Sequence, residues 1–124
     1  MLSSITIQNF ITVKQLSLEF QKGLHIITGE TGAGKSIWID ALGLALGNRA
    51  STNLIRHEQK QCDVTLCFDI SNNNAASDWL KQQALSCEAS ECMIRRTVYQ
   101  DGRTRASING TPCTLSQLKS LSAY

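Results

Sequence analysis

The sequence predicts an α/β fold in which a glycine-rich loop joins a buried strand to a helix. An antiparallel strand element precedes the loop and an antiparallel hairpin region follows it. Three observations carry this. Gly29-Glu30-Thr31-Gly32-Ala33-Gly34-Lys35-Ser36 fits G-x-x-x-x-G-K-[ST]. The apolar run Leu24 to Ile27 before it reads as a strand and Ile37 to Leu46 after it as a helix, the context that motif needs. Asp101-Gly102 and Asn109-Gly110 are strong tight-turn signals between short strand-like runs. Together they indicate a P-loop nucleotide-binding fold.

Taken in order, Leu2 to Phe10 places Ile5, Ile7 and Phe10 as anchors with Thr6 and Gln8 between, which is strand periodicity. Leu16, Leu18 and Phe20 alternate with Ser17 and Glu19, and Lys22-Gly23 turns the chain into the strand before the loop. Ile39, Leu42 and Leu46 predict the buried stripe of the loop's helix, with Trp38 beside it packing on the sheet. Gly47-Asn48 is a C-terminal stop signal. Asn48 to Lys60 reads as a polar loop with a short helix, carrying Arg49, Arg56 and His57. From Cys62 to Ile70, residues Cys62, Val64, Leu66, Phe68 and Ile70 share one face and Asp63, Thr65, Cys67 and Asp69 the other. Ala75 to Leu85 is a short helix with Trp79 and Leu80 on its apolar side. Glu91 to Gln100 and Arg103 to Ile108 are two strands about Asp101-Gly102. Thr114 and Gln117 form a capping box before the helical stripe Leu115, Leu118, Leu121.

The loop's residue types follow from its task. Glycines let the backbone approach a ligand with no Cβ in the way. Successive N–H groups form an anion nest, and the helix N-terminus adds partial positive charge. Lys35 supplies a cation for the β- and γ-phosphates and Ser36 a hydroxyl for Mg²⁺.

Composition bounds the rest. The 124 residues suffice for one small domain, and 12 basic against 10 acidic residues argue neither for nor against nucleic acid. No apolar run approaches the roughly 18 residues of a membrane span, and no export signal opens the chain, so the cytoplasm is expected. Five cysteines without an export signal suggest reduced thiols. Cys62 and Cys67 have zinc-like spacing but fall on opposite strand faces, so they read as core fillers. Arg95, Arg96, Arg103 and Arg105 cluster on the Asp101-Gly102 hairpin, with Arg103 and Arg105 on one face. That cluster is either a solvated face or a basic surface for DNA or a partner. Arg49 is a second candidate for phosphate or nucleic-acid contact beside the plain reading of a solvated loop residue.

Hydrolysis needs an acidic residue at the end of an apolar strand to organise Mg²⁺ and water. After Ser36 no apolar run ends that way, and Asp63 and Asp69 lie inside the alternating strand. The expectation is a chain that binds nucleotide and does not turn it over alone, as half of a composite site and a C-terminally truncated lobe.

Gly29 to Ile37, the following Asp40-Ala41-Leu42-Gly43-Leu44-Ala45-Leu46-Gly47, and Arg49-Ala50 resemble the N-terminal segment of the RecN family of bacterial DNA repair ATPases. The opening Ile5-Thr6-Ile7-Gln8-Asn9-Phe10, the later Ile94-Arg95-Arg96 and Asp101 to Gly110 extend the resemblance from Leu2 to about Leu121. It implies the N-terminal lobe of an ABC-type head, like those of structural-maintenance-of-chromosomes (SMC) proteins, over residues 1–124. The cofactors implied are ATP and Mg²⁺. The implied partners are the C-terminal lobe of the same head, a second head across ATP, and DNA at double-strand breaks, with a nucleoid-associated location and no membrane. Carried over by position, Gly29, Glu30, Thr31, Gly32, Ala33, Gly34, Lys35, Ser36 and Ile37 would surround the phosphates, with Ser36 on Mg²⁺. Ile37 replaces the Ser or Thr common in ABC transporters, and Arg49 matches an arginine that lies near nucleotide and DNA in related heads. Ser122-Ala123-Tyr124 fits the family poorly.

Two other classes compete. A GTPase or small-molecule kinase would share the loop, but there is no Asn-Lys-x-Asp guanine-reading motif, and the leading antiparallel strands count against both. A scaffold that only binds nucleotide or DNA is the non-enzymatic alternative.

Overall fold

The computed structural model describes residues 2–11, 13–19, 32–85 and 90–123. The strand expected at Leu24 to Ile27, Phe20, and Gly29 to Thr31 lie outside the described residues, as do the side chains of Gly32 to Ser36 and of Trp38.

Among the described residues six strands form one sheet in the order β2-β1-β3-β4-β5-β6: β1 (Leu2–Phe10), β2 (Val13–Glu19), β3 (Gln61–Asp69), β4 (Glu91–Tyr99), β5 (Thr104–Ile108) and β6 (Thr111–Pro112). Every pairing is antiparallel. The leading strands and the later hairpin region, which the sequence suggests as separate elements, are therefore one sheet, joined where β1 pairs with β3. Local sequence carries no signal for so distant a pairing, because register is set by matching buried faces.

Two rows of inward side chains cross the sheet. Leu18, Ile5, Leu66, Ile94 and Ile108 stand opposite one another in successive strands, and so do Leu16, Ile7, Val64, Arg96 and Ala106. Ile5, Ile7, Val64, Leu66, Ile94 and Ile108 are buried, so the predicted β1 and β3 faces hold. β2 is an edge strand among the described residues, and Leu16 on it is 37% exposed.

Helix α1 (Gly32–Ala45) packs on the inward face against β3 and β4. Its buried residues are Ala41, Leu44 and Ala45, with Ile37 half-buried in the same stripe. This corrects the predicted stripe: Ile39 is 68% exposed, and Leu42 and Leu46 are only partly buried. The helix is apolar on most sides, so periodicity could not choose a face. Small alanines win the contact because they let the helix axis approach the sheet. A 3₁₀ turn at Thr52–Leu54 follows, and two backbone bonds tie it to the end of β1, Ile11 N–H to Leu54 O and Arg56 N–H to Asn9 O, each 2.7 Å.

Helices α2 (Asn74–Gln82) and α3 (Leu115–Leu121) complete the inward layer through Ala76, Leu80, Leu118 and Leu121. The capping box at Thr114 and Gln117 is present. Leu115 departs from the expected stripe and is exposed. Asn109 (φ 51°) and Gly110 (φ 82°) make the tight turn between β5 and β6. The Asn109 side chain accepts from the Met93 N–H at 2.8 Å and donates to Leu85 O at 2.8 Å.

Gly47 ends α1 with φ 112°. The Asn48 N–H reaches Gly43 O at 2.9 Å and the Gly47 N–H reaches Leu44 O at 3.3 Å, a Schellman cap. A Cβ on Gly47 would also lie 2.9 Å from Lys119 Cγ of α3. Gly47→Ala should therefore cost about 1–3 kcal/mol, read as a lower midpoint in urea. An unchanged midpoint would mean the cap is not needed.

Candidate nucleotide site

Helix α1 opens inside the glycine-rich motif, with Gly32, Ala33, Gly34, Lys35 and Ser36 as its first residues. The first N–H groups of a helix have no intrahelical partner and attract anions. No acidic side chain stands in this first turn to compete for them. The backbone thus fits a phosphate-bearing ligand at this end. Helix formation from Gly32 adds Gly32 to Ser36 to the helix expected from Ile37 onward.

The other end of the helix is held by a residue that the sequence places on a surface cluster. Arg96 of β4 is 1% exposed. Its Nη1 donates to Leu44 O at 2.9 Å and to Asn48 O at 3.2 Å. Its Nε is buried without a hydrogen-bond partner among the described residues. Burial pulls the guanidinium below its ordinary value, and the neighbouring Cys113 partly opposes this. A carbonyl-rich helix C-terminus is a favourable place for a cation that has left water. The signal was in the alternation: Arg96 falls in phase with Cys92, Ile94 and Val98, all buried.

The remaining hairpin arginines divide. Arg95 points to the outer face, where Nη2 and Nε reach Asp63 Oδ1 at 2.8 and 3.2 Å. Arg103 Nε pairs with Asp101 Oδ2 at 2.7 Å in the turn. Arg103 and Arg105 both lie over the Tyr99 ring, 5.4 and 6.0 Å from its centre, and both are exposed. The face shared by Arg103 and Arg105 is therefore present, but the four arginines are not one patch. Arg49 is exposed, immediately after the Asn48 carbonyl that Arg96 holds.

Asp63 is the second unexpected site. It is 7% exposed although it faces the outer side of the sheet. It accepts from Thr97 Oγ1 at 2.6 Å and Gln61 Nε2 at 3.1 Å besides Arg95. Asp69 at the end of β3 is exposed and accepts from the Ser71 N–H at 2.9 Å, closing a turn. Cys62 and Cys67 fall on opposite faces of β3, as the alternation requires. Burial pushes the Cys62 and Cys92 thiols up to about 11, so both are protonated at neutral pH.

The RecF/RecN/SMC N-terminal domain model matches residues 1–123. DNA repair protein RecN of Vibrio cholerae is 51% identical over 121 residues, covering 98% of this chain and 22% of that protein. RecN of Haemophilus influenzae is 46% identical over 126 residues, covering 100% and 23%. The chain thus spans about a fifth of the length of these curated relatives. A solved structure from work on ATP-driven dimerization and DNA-stimulated activation of SMC ATPases superposes with a TM-score of 0.75 at 26% identity, covering 98% of this chain and 77% of that one. The Smc head domain with an extended coiled coil from Pyrococcus furiosus, bound to the C-terminal domain of ScpA, gives 0.74 at 27% identity, covering 98% and 32%. Among the described residues no helix is long and apolar enough to cross a membrane.

Burial pushes the Asp63 carboxyl up, but hydrogen bonds from Thr97, Gln61 and Arg95 and the Arg95 charge outweigh it and hold it below the usual range. A depressed carboxyl contributes stability that is present above the unfolded-state value and lost as pH falls through the folded one. Asp63→Asn should lower stability at neutral pH by about 1–3 kcal/mol. The gap to wild type should shrink below about pH 4. Melting temperatures across pH test this; an equal gap at acid and neutral pH would exclude the carboxylate as its source.

Proposed function

The chain belongs to the RecF/RecN/SMC N-terminal domain family, and from that premise we propose that it is the ATP-binding lobe of a RecN-type head that acts in DNA double-strand break repair. The observation that carries the proposal is the G-x-x-x-x-G-K-S motif running into the N-terminus of α1. Gly29 to Gly34 would present backbone N–H groups to the phosphates, and Ile37 would flank them without a hydroxyl. Lys35 would neutralise the β- and γ-phosphates and Ser36 would hold Mg²⁺. Bound ATP would supply a γ-phosphate as the bridge to a second surface.

That second surface is the rest of the proposal. In β3, Asp63 is committed to Arg95, Thr97 and Gln61, and Asp69 caps a turn. Both carboxylates are thus engaged within the sheet and its turn, which supports a hydrolytic acid from outside β3. Residues 1–124 are read as the N-terminal lobe, with the acidic strand supplied by the C-terminal lobe and the opposing surface by a second head. SMC ATPases that dimerise on ATP share this lobe's fold, which supports that reading.

The exposed pair Arg103 and Arg105, splayed over Tyr99, is the proposed DNA-backbone contact, with the exposed Arg49 as a further candidate. Cations beside an aromatic face suit phosphate and base stacking together.

Lys35→Ala should abolish Mg-ATP binding measured with a fluorescent analogue; retained affinity would place the site elsewhere. The chain alone should bind Mg-ATP and show negligible turnover, and brisk hydrolysis would refute the composite site. Reversing Arg103 and Arg105 to Glu should weaken DNA binding about tenfold or more and lower the salt slope by about two. Unmoved DNA affinity would make the hairpin structural only.

A further inference from the structure

Arg96 has no place in the nucleotide chemistry above, yet its position is costly. It interrupts an inward row, standing between Val64 of β3 and Ala106 of β5. A cation there forgoes water, and one of its donors, Nε, finds no partner among the described residues. A well-packed apolar residue would serve a purely structural need at less cost. What the guanidinium does instead is reach across the layer to Leu44 O and Asn48 O. Those are the last-turn carbonyl of α1 and the first carbonyl beyond its glycine cap.

We propose that Arg96 is a positioning residue for the phosphate loop: it pins the C-terminal end of α1 to β4 and so fixes the helix whose first turns carry Lys35 and Ser36. The inference rests on the ATP-site reading above. Three features make the clamp effective. Helix α1 is 14 residues long and behaves as one rod, so a tilt at one end displaces the other. The fully buried residues of the rod are Ala41, Leu44 and Ala45, and the two alanines have little side chain to interlock with the sheet. The segment after the clamp is fastened separately, through Leu54 O and the Arg56 N–H to the end of β1. Arg49 lies between these two fastenings, so it shares the position that Arg96 sets. Arg96 also opens the stretch of β4 that leads to the Asp101-Gly102 turn. The proposed nucleotide helix and the proposed DNA hairpin are therefore linked through β4.

The test compares Arg96→Lys, Arg96→Met and Lys35→Ala in the full-length protein. Affinity for Mg-ATP is measured with a fluorescent analogue, beside amide hydrogen exchange and a melting curve for each variant. Arg96→Met should raise the Kd about tenfold and speed exchange selectively at Gly32 to Ile37. Arg96→Lys keeps a charged donor but loses the planar fork, so its Kd should rise only about threefold. A Kd for the lysine variant equal to wild type, with unaltered exchange at Gly32 to Ile37, overturns the proposal even if the methionine variant does not fold. Exchange raised uniformly over β3, β4 and α1 in a folded variant also overturns it, since that is general destabilisation. Lys35→Ala separates the two readings: if it still binds Mg-ATP, the site assignment itself has failed, whatever Arg96 does.

Discussion

Helix α1 faces opposite electrostatic demands at its two ends, and the rest of the structure answers them. Its N-terminal N–H groups must stay unsatisfied within the protein if an anion is to bind there. Its C-terminal carbonyls must be satisfied internally, because they abut the sheet and α3. Gly47 meets part of the second demand by turning the chain back on the helix. Arg96 meets the remainder with a charge whose sign complements the helix dipole. The same dipole that would favour a phosphate at the N-terminal end holds the guanidinium in place at Leu44.

The sheet provides the wall on which this happens. Because β1 pairs with both β2 and β3, the segment before the loop and the segment after the helix are in one register. The inward rows from Ile5 to Ile108 and from Ile7 to Ala106 supply a mostly apolar floor for α1, α2 and α3. The outer face is held by polar contacts, chiefly Asp63 with Arg95, Thr97 and Gln61. A sheet whose two faces use different interactions can pack helices on one side and offer charge on the other.

Much of this was legible in the sequence where one local rule dominated. Period-two alternation gave β1 and β3, Asn109-Gly110 gave its turn, and Thr114 with Gln117 gave the capping box. The glycine-rich motif marks where α1 begins, at Gly32. The buried face of α1 was not legible, because Ile39, Leu42 and Leu46 are as apolar as Leu44, and only packing against the sheet favours the alanine side. The six-stranded order was not legible either, since β1 meets β3 across more than fifty intervening residues.

Arginine shows most clearly why residue type misleads where phase does not. Four arginines lie close together in the hairpin sequence, and charge counting makes them one basic surface. Alternation assigns them to different faces, and the structure gives them different work. Arg96 is inside on a helix end, Arg95 is bound to a buried carboxylate, and Arg103 shares Asp101 and Tyr99 with the turn. Of the three that lie outside the core, Arg105 alone meets no carboxylate among the described contacts, and it too leans on Tyr99. A DNA-facing role for this hairpin therefore cannot rest on its charge total. The proposed role rests instead on two exposed guanidinium groups held over one ring, at the end of a strand whose buried arginine bonds to the C-terminal end of α1.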